Sequence, residues 1–398
     1  MGEGLVVQLE LMDGMQASVI ADVDLERARA AFRSAGVYSP VEADDIAAAA
    51  EAVGEGRRVI TTDATLAAAI PNVDAVVEAT GVPEVGAVVA LGGIEAGNHV
   101  LQMNVETDAT VGWILRTKAR QAGVVYTLTV GDEPGATMDL YDDAVSLGFE
   151  VICAGKGKNN PLDRTANPET LAESARSQMM NPKMLASFVD GTKTMVEMTS
   201  LANAIGFVPD VLGMHGPDVT PATISDVYRP ATAGGILGRT GVVEYGLGIA
   251  PGVFVVFTTD HPKILRDLTY LSLGEGPYFA LYRPYHLTSL ETPISLARAV
   301  LDADTTAATD NKPTAETVAT AKKDLARGDV IDGLGGFSVY GLIERADTAR
   351  SGNLLPLGLA PGATVAKAVT TGEILTYDHV EVDESKVIRE LRTEQDAM

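Results

Sequence analysis

Apolar and polar positions alternate in a steady rhythm along the first third of the chain. Short runs at 16–22, 58–62, 75–81, 99–104 and 124–129 are rich in Val, Ile and Leu, as strands covered on both faces are. Longer stretches at 25–35, 44–53, 63–69, 85–96 and 110–122 separate them, and their composition favours helix. Gly97 and Gly123 stand where helices stop. Asp24, just before Leu25, fits the N-cap. Residues 1–9 begin helically, with no strand ahead of them. This alternation predicts a parallel, doubly wound sheet over 1–150.

After residue 150 the rhythm changes. Val151-Ile152-Cys153-Ala154 reads as a short buried strand that empties into a loop, Gly155-Lys156-Gly157-Lys158-Asn159-Asn160-Pro161. A long helix is expected over 184–205, carrying Asp190, Lys193 and Glu197 and ended by Gly206. Glycine- and proline-rich segments with short strands follow. From about 351 onward, short strands broken by glycine turns suggest a small β-rich module. The expected division is therefore 1–150, 151–350 and 351–398, with an α+β middle part.

The 398 residues include 54 acidic against 30 basic side chains, a net charge of −24. Nucleic acid and anionic membranes are excluded as partners, since both call for a basic face. Cys153 is the one cysteine, so neither an internal disulfide nor a thiol metal pair can form. A buried, inert thiol is expected there. With no signal peptide and no apolar run of membrane-spanning length, a cytoplasmic protein is expected.

Chemistry concentrates at strand ends. A helix, a strand and then Asp22 about twenty residues after Gly2 read as the second half of a dinucleotide fingerprint. Gly2 stands as its last glycine. The first strand of the sheet is missing from this chain, and a start placed too late is the preferred reading. Asp22 would accept from ribose hydroxyls, and Thr80-Gly81 would let the backbone approach the cofactor. NAD or NADP is the expected cofactor. The glycine–lysine run suits a phosphate or carboxylate, with Lys158 and Asn159 as substrate ligands. Lys193 lies three residues after Asp190, so one helix face would carry both. These two, with Lys156, are the expected catalytic side chains: a hydride reaching a carbonyl leaves charge that a cation stabilises or an acid protonates. Asp132 and Glu133 could hold a divalent metal, although ion pairing with the lysine run is the stronger reading. Of the histidines, His286 is preferred over His215 as a substrate ligand.

Taken in order, Asp22, Val77-Glu78-Ala79-Thr80-Gly81, Met103-Asn104-Val105-Glu106, Gly131-Asp132-Glu133-Pro134-Gly135, Ala154–Asn159 and Asp190-Gly191-Thr192-Lys193 form a set. The set resembles the homoserine-dehydrogenase-like oxidoreductases that carry a C-terminal SAF domain. One branch of these is the 1-deoxyxylulose-5-phosphate reductoisomerase-like enzymes. The run Gly372-Glu373-Ile374-Leu375-Thr376, with Asp378 and Val380, is similar to the SAF module. The resemblance implies a Rossmann domain followed by a catalytic domain, a nicotinamide cofactor contacted by Asn104 among others, and a homodimer or higher homo-oligomer. Val105 stands where homoserine dehydrogenases place a lysine, which counts against homoserine itself. The expectation is an NAD(P)-dependent oxidoreductase acting on CH–OH or C=O of a small phosphate- or carboxylate-bearing substrate. Its rivals are a metal-dependent reductoisomerase, the one reading that needs a divalent metal, and a cofactor-less binding protein.

Overall fold

The computed structural model describes residues 2–398. By packing they form two units. The first runs to Gly135 and adds Leu287–Asp310 and Glu390–Met398, and the second comprises Ala136–His286 and Asn311–Arg389. These breaks fall at other positions than 150 and 350.

The first unit runs α1 (Gly2–Leu11), β1 (Val19–Ala21), α2 (Leu25–Ser34), β2 (Val41–Glu42), α3 (Ile46–Gly54), β3 (Val59–Thr61), α4 (Ala64–Ala69), β4 (Ala75–Glu78), α5 (Pro83–Ala96), β5 (His99–Gln102), α6 (Val105–Ala122) and β6 (Tyr126–Leu128). Every strand pair is parallel, which with the helix–strand alternation makes the fold α/β and Rossmann-like. One expectation fails. The strands form two three-stranded sheets, in orders β1-β3-β2 and β4-β5-β6, rather than one. They share an apolar core instead: Ile20 and Ile60 from one sheet and Val77 from the other pack with Leu5, Leu9 and Phe32. The two-residue β2 is too short to show a periodic pattern. Helices start where local chemistry dictates. Asp24, Asp45 and Asp63 cap α2, α3 and α4, and left-handed Gly97 and Gly123 end α5 and α6. The helix expected from 110 starts at Val105, because Asn104 caps it.

The second unit continues with α7 (Glu133–Ser146), β7 (Glu150–Lys158), α8 (Ala172–Ser177), α9 (Pro182–Val189), α10 (Thr192–Ile205), β8 (Val208–Pro209), α11 (Ile224–Val227), β9 (Val242–Leu247), β10 (Val253–Thr258), α12 (Pro262–Tyr270) and β11 (Tyr278–Arg283). The chain returns to the first unit through α13 (Thr292–Asp302). It then forms β12 (Ala315–Ala321), β13 (Val339–Arg345), α14 (Ala346–Ser351), β14 (Thr364–Val365), β15 (Val380–Glu381) and α15 (Val387–Asp396).

The second unit is built on a mixed sheet, β11-β10-β7-β9-β8, with β7 in the centre. β7 pairs parallel with β9 and antiparallel with β10. One sheet face packs Ala154, Val243 and Val255 against Met195, Met198 and Leu201 of α10. The opposite face packs Cys153, Val242 and Val256 under Tyr228 and Leu237. Phe257 stacks on Phe149 and Phe279 at centroid distances of 4.6 and 5.7 Å; each such pair adds about 0.5–1.5 kcal/mol beyond burial. The hairpin β12–β13 lies beside α10. From 354 to 376 the chain crosses that region through single bridges such as Thr320 to Ile374 and Leu354 to Thr376.

Two expectations change here. The lysine run is strand, since β7 continues to Lys158. Its glycines are there for close packing. A Cβ on Gly155 would lie 2.0 Å from the Glu244 carbonyl oxygen, and one on Gly157 would lie 2.4 Å from the Ala250 nitrogen. The helix expected over 184–205 is also two helices, broken at Gly191 with φ of +85°, a conformation that favours glycine.

Candidate functional site

Each unit gathers polar side chains at strand ends. In the first unit, Asp22 follows β1 and accepts from the Asp24 amide at 2.8 Å. Asp24 carries the cap of α2, accepting from the Glu26 amide at 3.0 Å, which leaves Asp22 outside the helix as the sequence suggested. Gly2 is exposed at the start of α1. Thr80 and Gly81 form an exposed turn beyond β4, with Gly81 in the left-handed region at φ +69°. Ligands of open α/β sheets bind past the carboxyl ends of the strands. Asp22 and the bare backbone of Thr80-Gly81 occupy such ends, so these residues suit a dinucleotide.

Asn104 is engaged differently. It is buried, its Oδ1 accepts from the Thr107 amide at 3.3 Å, and its Nδ2 donates to the Val82 carbonyl at 3.0 Å. The residue therefore ties the turn after β4 to the start of α6, and its amide is taken up by the fold. Beneath the turn lies Glu78, 2% exposed, accepting from the Thr80 amide at 2.8 Å. Burial pushes its carboxyl above the usual range, hydrogen bonds from Thr80 and Asn104 pull it back, and Glu106 adds a further upward push. Gly86 closes the space: a Cβ there would lie 2.0 Å from Thr107 Oγ1 and 3.0 Å from Glu78 Oε2. Asp132 and Glu133 sit at the start of α7, where the Asp132 amide donates to the Thr129 carbonyl. Two adjacent acids leave most of a divalent cation's coordination to other groups.

The second unit holds the densest charge. Lys156 and Lys158 are two apart on β7, hence on one face, and both are buried. Lys156 Nζ donates to Glu197 of α10, and Lys193 Nζ lies 3.9 Å from the same carboxylate. Lys158 Nζ donates to the carbonyls of Asn160 and Phe188 at 2.6 and 2.8 Å. Burial first, then the neighbouring Lys156 charge, lowers the Lys158 ammonium from an ordinary 10.5 to about 8. Asn159 is exposed just past the strand.

Asp190 does not pair with Lys193 as the spacing suggested. Gly191 separates the two helices, and Asp190 caps the end of α9. Its Oδ2 meets Lys322 Nζ at 2.8 Å, and its Oδ1 accepts from the Thr192 amide. Lys322 also donates to the carbonyls of Ala166 and Gly336. Lys193 is drawn to Glu197, one turn along α10.

Arg164, which carries no sequence signal, stands beside them. Its Nη1 donates to the Asp190 carbonyl at 2.7 Å, and its guanidinium lies over the Tyr340 ring, 4.9 Å from the centroid. His286 is half-buried just beyond β11, next to Tyr285, whose ring lies under Arg283. His215 is bound into the fold, its Nδ1 2.6 Å from the buried Glu244. Cys153 is fully buried, and burial pushes its thiol well up, in keeping with the inert role expected. No helix among the described residues is long and apolar enough to cross a membrane.

Residues 131–292 match the family model "Oxidoreductase DRL, catalytic domain". No curated protein matches the chain. Among solved structures, a probable dehydrogenase from Thermotoga maritima is similar at 13% identity and a TM-score of 0.42, over 76% of this chain and 86% of that one. Apo scyllo-inositol dehydrogenase from Lactobacillus casei is similar at 10% identity and 0.41, over 76% and 85%. Myo-inositol dehydrogenase from the same organism, in complex with NAD(H) and myo-inositol, is similar at 10% identity and 0.31, over 72% and 65%. These likenesses are too loose to bear on the site. The family match, which spans β7, α9 and α10 with their lysines, marks the protein as an enzyme, an oxidoreductase.

Proposed function

We propose that the protein is an NAD(P)-dependent oxidoreductase acting on the CH–OH or C=O group of a small phosphate- or carboxylate-bearing substrate, in the manner of the homoserine-dehydrogenase-like enzymes. The observation that carries this reading is the group of buried cations at the end of β7, inside the segment that matches an oxidoreductase catalytic domain. The first unit supplies the cofactor ligands, with Asp22 holding ribose hydroxyls and Thr80-Gly81 the backbone approach. Gly2 opens α1, the helix that follows the glycine turn in dinucleotide folds. Asn104 acts by fixing the Thr80–Val82 turn. When bound, the nicotinamide supplies the hydride.

The second unit supplies the charge chemistry. Lys156 and Lys193 both reach Glu197 of α10, which gathers two ammonium groups at one place where they can stabilise a developing alkoxide. Lys158 and Asn159 orient the anionic end of the substrate, and His286 is a further substrate ligand. Asp190 holds the junction of α9 and α10 through Lys322 and so fixes where Lys193 begins its helix. The SAF-like reading of 351–398, a homo-oligomeric state and a cytoplasmic location rest on the sequence.

The test is a screen of NAD(P)H oxidation with small oxo-acids and oxo-phosphates, with and without Mn²⁺. Turnover with at least one anionic carbonyl compound is expected. Lys193→Met should lower kcat by about 10²-fold, the usual scale for one lost oxyanion ligand. Lys158→Met should raise KM for substrate and leave KM for cofactor unchanged. Failure of the purified protein to bind either NADH or NADPH sinks the reading.

A further inference from the structure

Lys158 and Arg164 share an unusual condition. Lys158 is buried and Arg164 half-buried, and for both burial is the main force acting against the charge. Yet neither is given a carboxylate. Lys158 donates to the carbonyls of Asn160 and Phe188, and Arg164 donates to that of Asp190. In a chain with 54 acidic side chains, lack of an acid here is not a matter of supply. Buried cations are normally paired, because desolvation costs more than neutral acceptors return.

The surroundings sharpen this. Lys158 feels Lys156 and Arg164 as like charges, and Asp190 and Glu197 as opposite ones. Asp190 is already held by Lys322, and Glu197 by Lys156 and Lys193. Lys158 and Arg164 are thus left to backbone carbonyls, with exposed Asp163 at the rim beside Lys322. Arg164 is also pre-oriented. One amino group is fixed on the Asp190 carbonyl, the plane rests on Tyr340, and Tyr245 lies near enough for its phenol to feel the charge. Among the described residues, Arg164 Nε and Nη2 meet no acceptor, and the residue is partly open to solvent. A guanidinium held in this way offers a fork that matches two oxygens of one anion.

We infer that Arg164 and Lys158 form a recognition site for a dianionic group, a phosphate or a paired carboxylate, and that Arg164 sets the specificity for it. The inference deepens the function proposed above and rests on it for the identity of the ligand as substrate. The missing carboxylates are those the ligand brings. A dianion satisfies both side chains, whereas a monocarboxylate leaves one cation uncompensated.

The test is calorimetric titration of the full-length protein, without cofactor, using inorganic phosphate, malonate and acetate at constant ionic strength. Saturable binding of phosphate or malonate is expected, at least tenfold tighter than acetate. Whichever of the two binds more tightly identifies the source of the dianion. Arg164→Met and Lys158→Met should each weaken it by tenfold or more, and Arg164→Lys, which keeps charge but loses the fork, by about half as much on a logarithmic scale. Lys263→Met, an exposed control on α12, should bind as wild type. Should Arg164→Met fail to give a cooperative thermal transition, Arg164→Lys carries the comparison. Equal binding by wild type and a folded Arg164 variant, or no saturable binding of either dianion, overturns the inference. NADPH binding, followed by nicotinamide fluorescence, is read separately. Its absence removes the oxidoreductase reading and leaves the anion site standing.

Discussion

Glu78 and Lys158 invite comparison. Each ends a strand that has a parallel neighbour, β4 in the first unit and β7 in the second. Each is almost without solvent contact, and burial pushes each towards its neutral form, the acid upward and the ammonium down to about 8. Their surroundings differ in kind. Around Glu78 the neighbours are local: the Thr80 amide, the Asn104 side chain and the Val82 carbonyl all come from the ends of adjacent strands, although Glu78 Oε2 itself accepts no hydrogen bond. Gly86 packs so close to this group that even a methyl there would meet Thr107, Asn104 and Glu78. Lys158, by contrast, and Arg164 near it donate to backbone carbonyls and meet no carboxylate. A cluster tied to its own strand ends holds a turn in place. Two cations held on neutral carbonyls have capacity for an anionic ligand.

The largest expected effect falls at Lys322. Replacing it by methionine strands the fully buried Asp190 carboxylate and removes the donor to Ala166 and Gly336. A loss of about 3–5 kcal/mol is expected, the usual cost of leaving a buried charge uncompensated. Urea unfolding measures it. A change below ~1 kcal/mol would mean that Asp190 is not held as described.

Such partners explain what the sequence could and could not disclose. Asp24, Gly97 and Gly123 act within one turn of chain, so their capping roles are readable from neighbours alone. The parallel α/β character is readable too, since apolar runs alternate with helix formers. The lysine run reads as a loop because Gly-Lys-Gly-Lys has the composition of one. The signal was its period of two, which places Lys156 and Lys158 on one strand face. Gly191 likewise sits inside an apolar helical pattern, and only its left-handed backbone shows the break. Arg164, Tyr340 and Lys322 were out of reach, for their roles are made by contacts between segments distant in the chain. The division of the parallel strands into two sheets leaves no local trace either.

A smaller effect tests the cluster around Glu78. Gly86→Ala puts a methyl 2.0 Å from Thr107 Oγ1 and 2.8 Å from Asn104 Nδ2. Overpacking should cost about 1–3 kcal/mol, seen as a lowered urea midpoint. An unchanged midpoint would show that the cluster yields more easily than its geometry suggests.

The smallest expected effect is pH-dependent and concerns Glu78. Below the ordinary glutamate value of 4.5 the carboxyl is protonated whether the chain is folded or not, and its contribution is fully present. As pH rises through its raised native value, that contribution is lost, because the unfolded chain ionises freely and the buried group does not. Glu78→Gln keeps an oxygen for the Thr80 amide and cannot ionise. The stability of the variant relative to wild type should therefore climb between pH 4.5 and neutrality. Parallel curves from paired urea titrations across that range would place Glu78 in a wetter setting than the fold describes.

The pair Asp190–Lys322 also has a consequence in time. Its members are 132 residues apart in the chain. At a synthesis rate of roughly 5–20 residues per second, the acid leaves the ribosome on the order of ten seconds before its partner exists. The central strand β7 waits in the same way for β9 and β10, its neighbours in the sheet. During that interval α9 and α10 can coil locally, but the carboxylate at their junction must stay hydrated. The joint that positions Lys193 is thus among the last parts of the second unit to close, and the nascent chain passes through a stage with its helices in hand and its charge chemistry still unassembled.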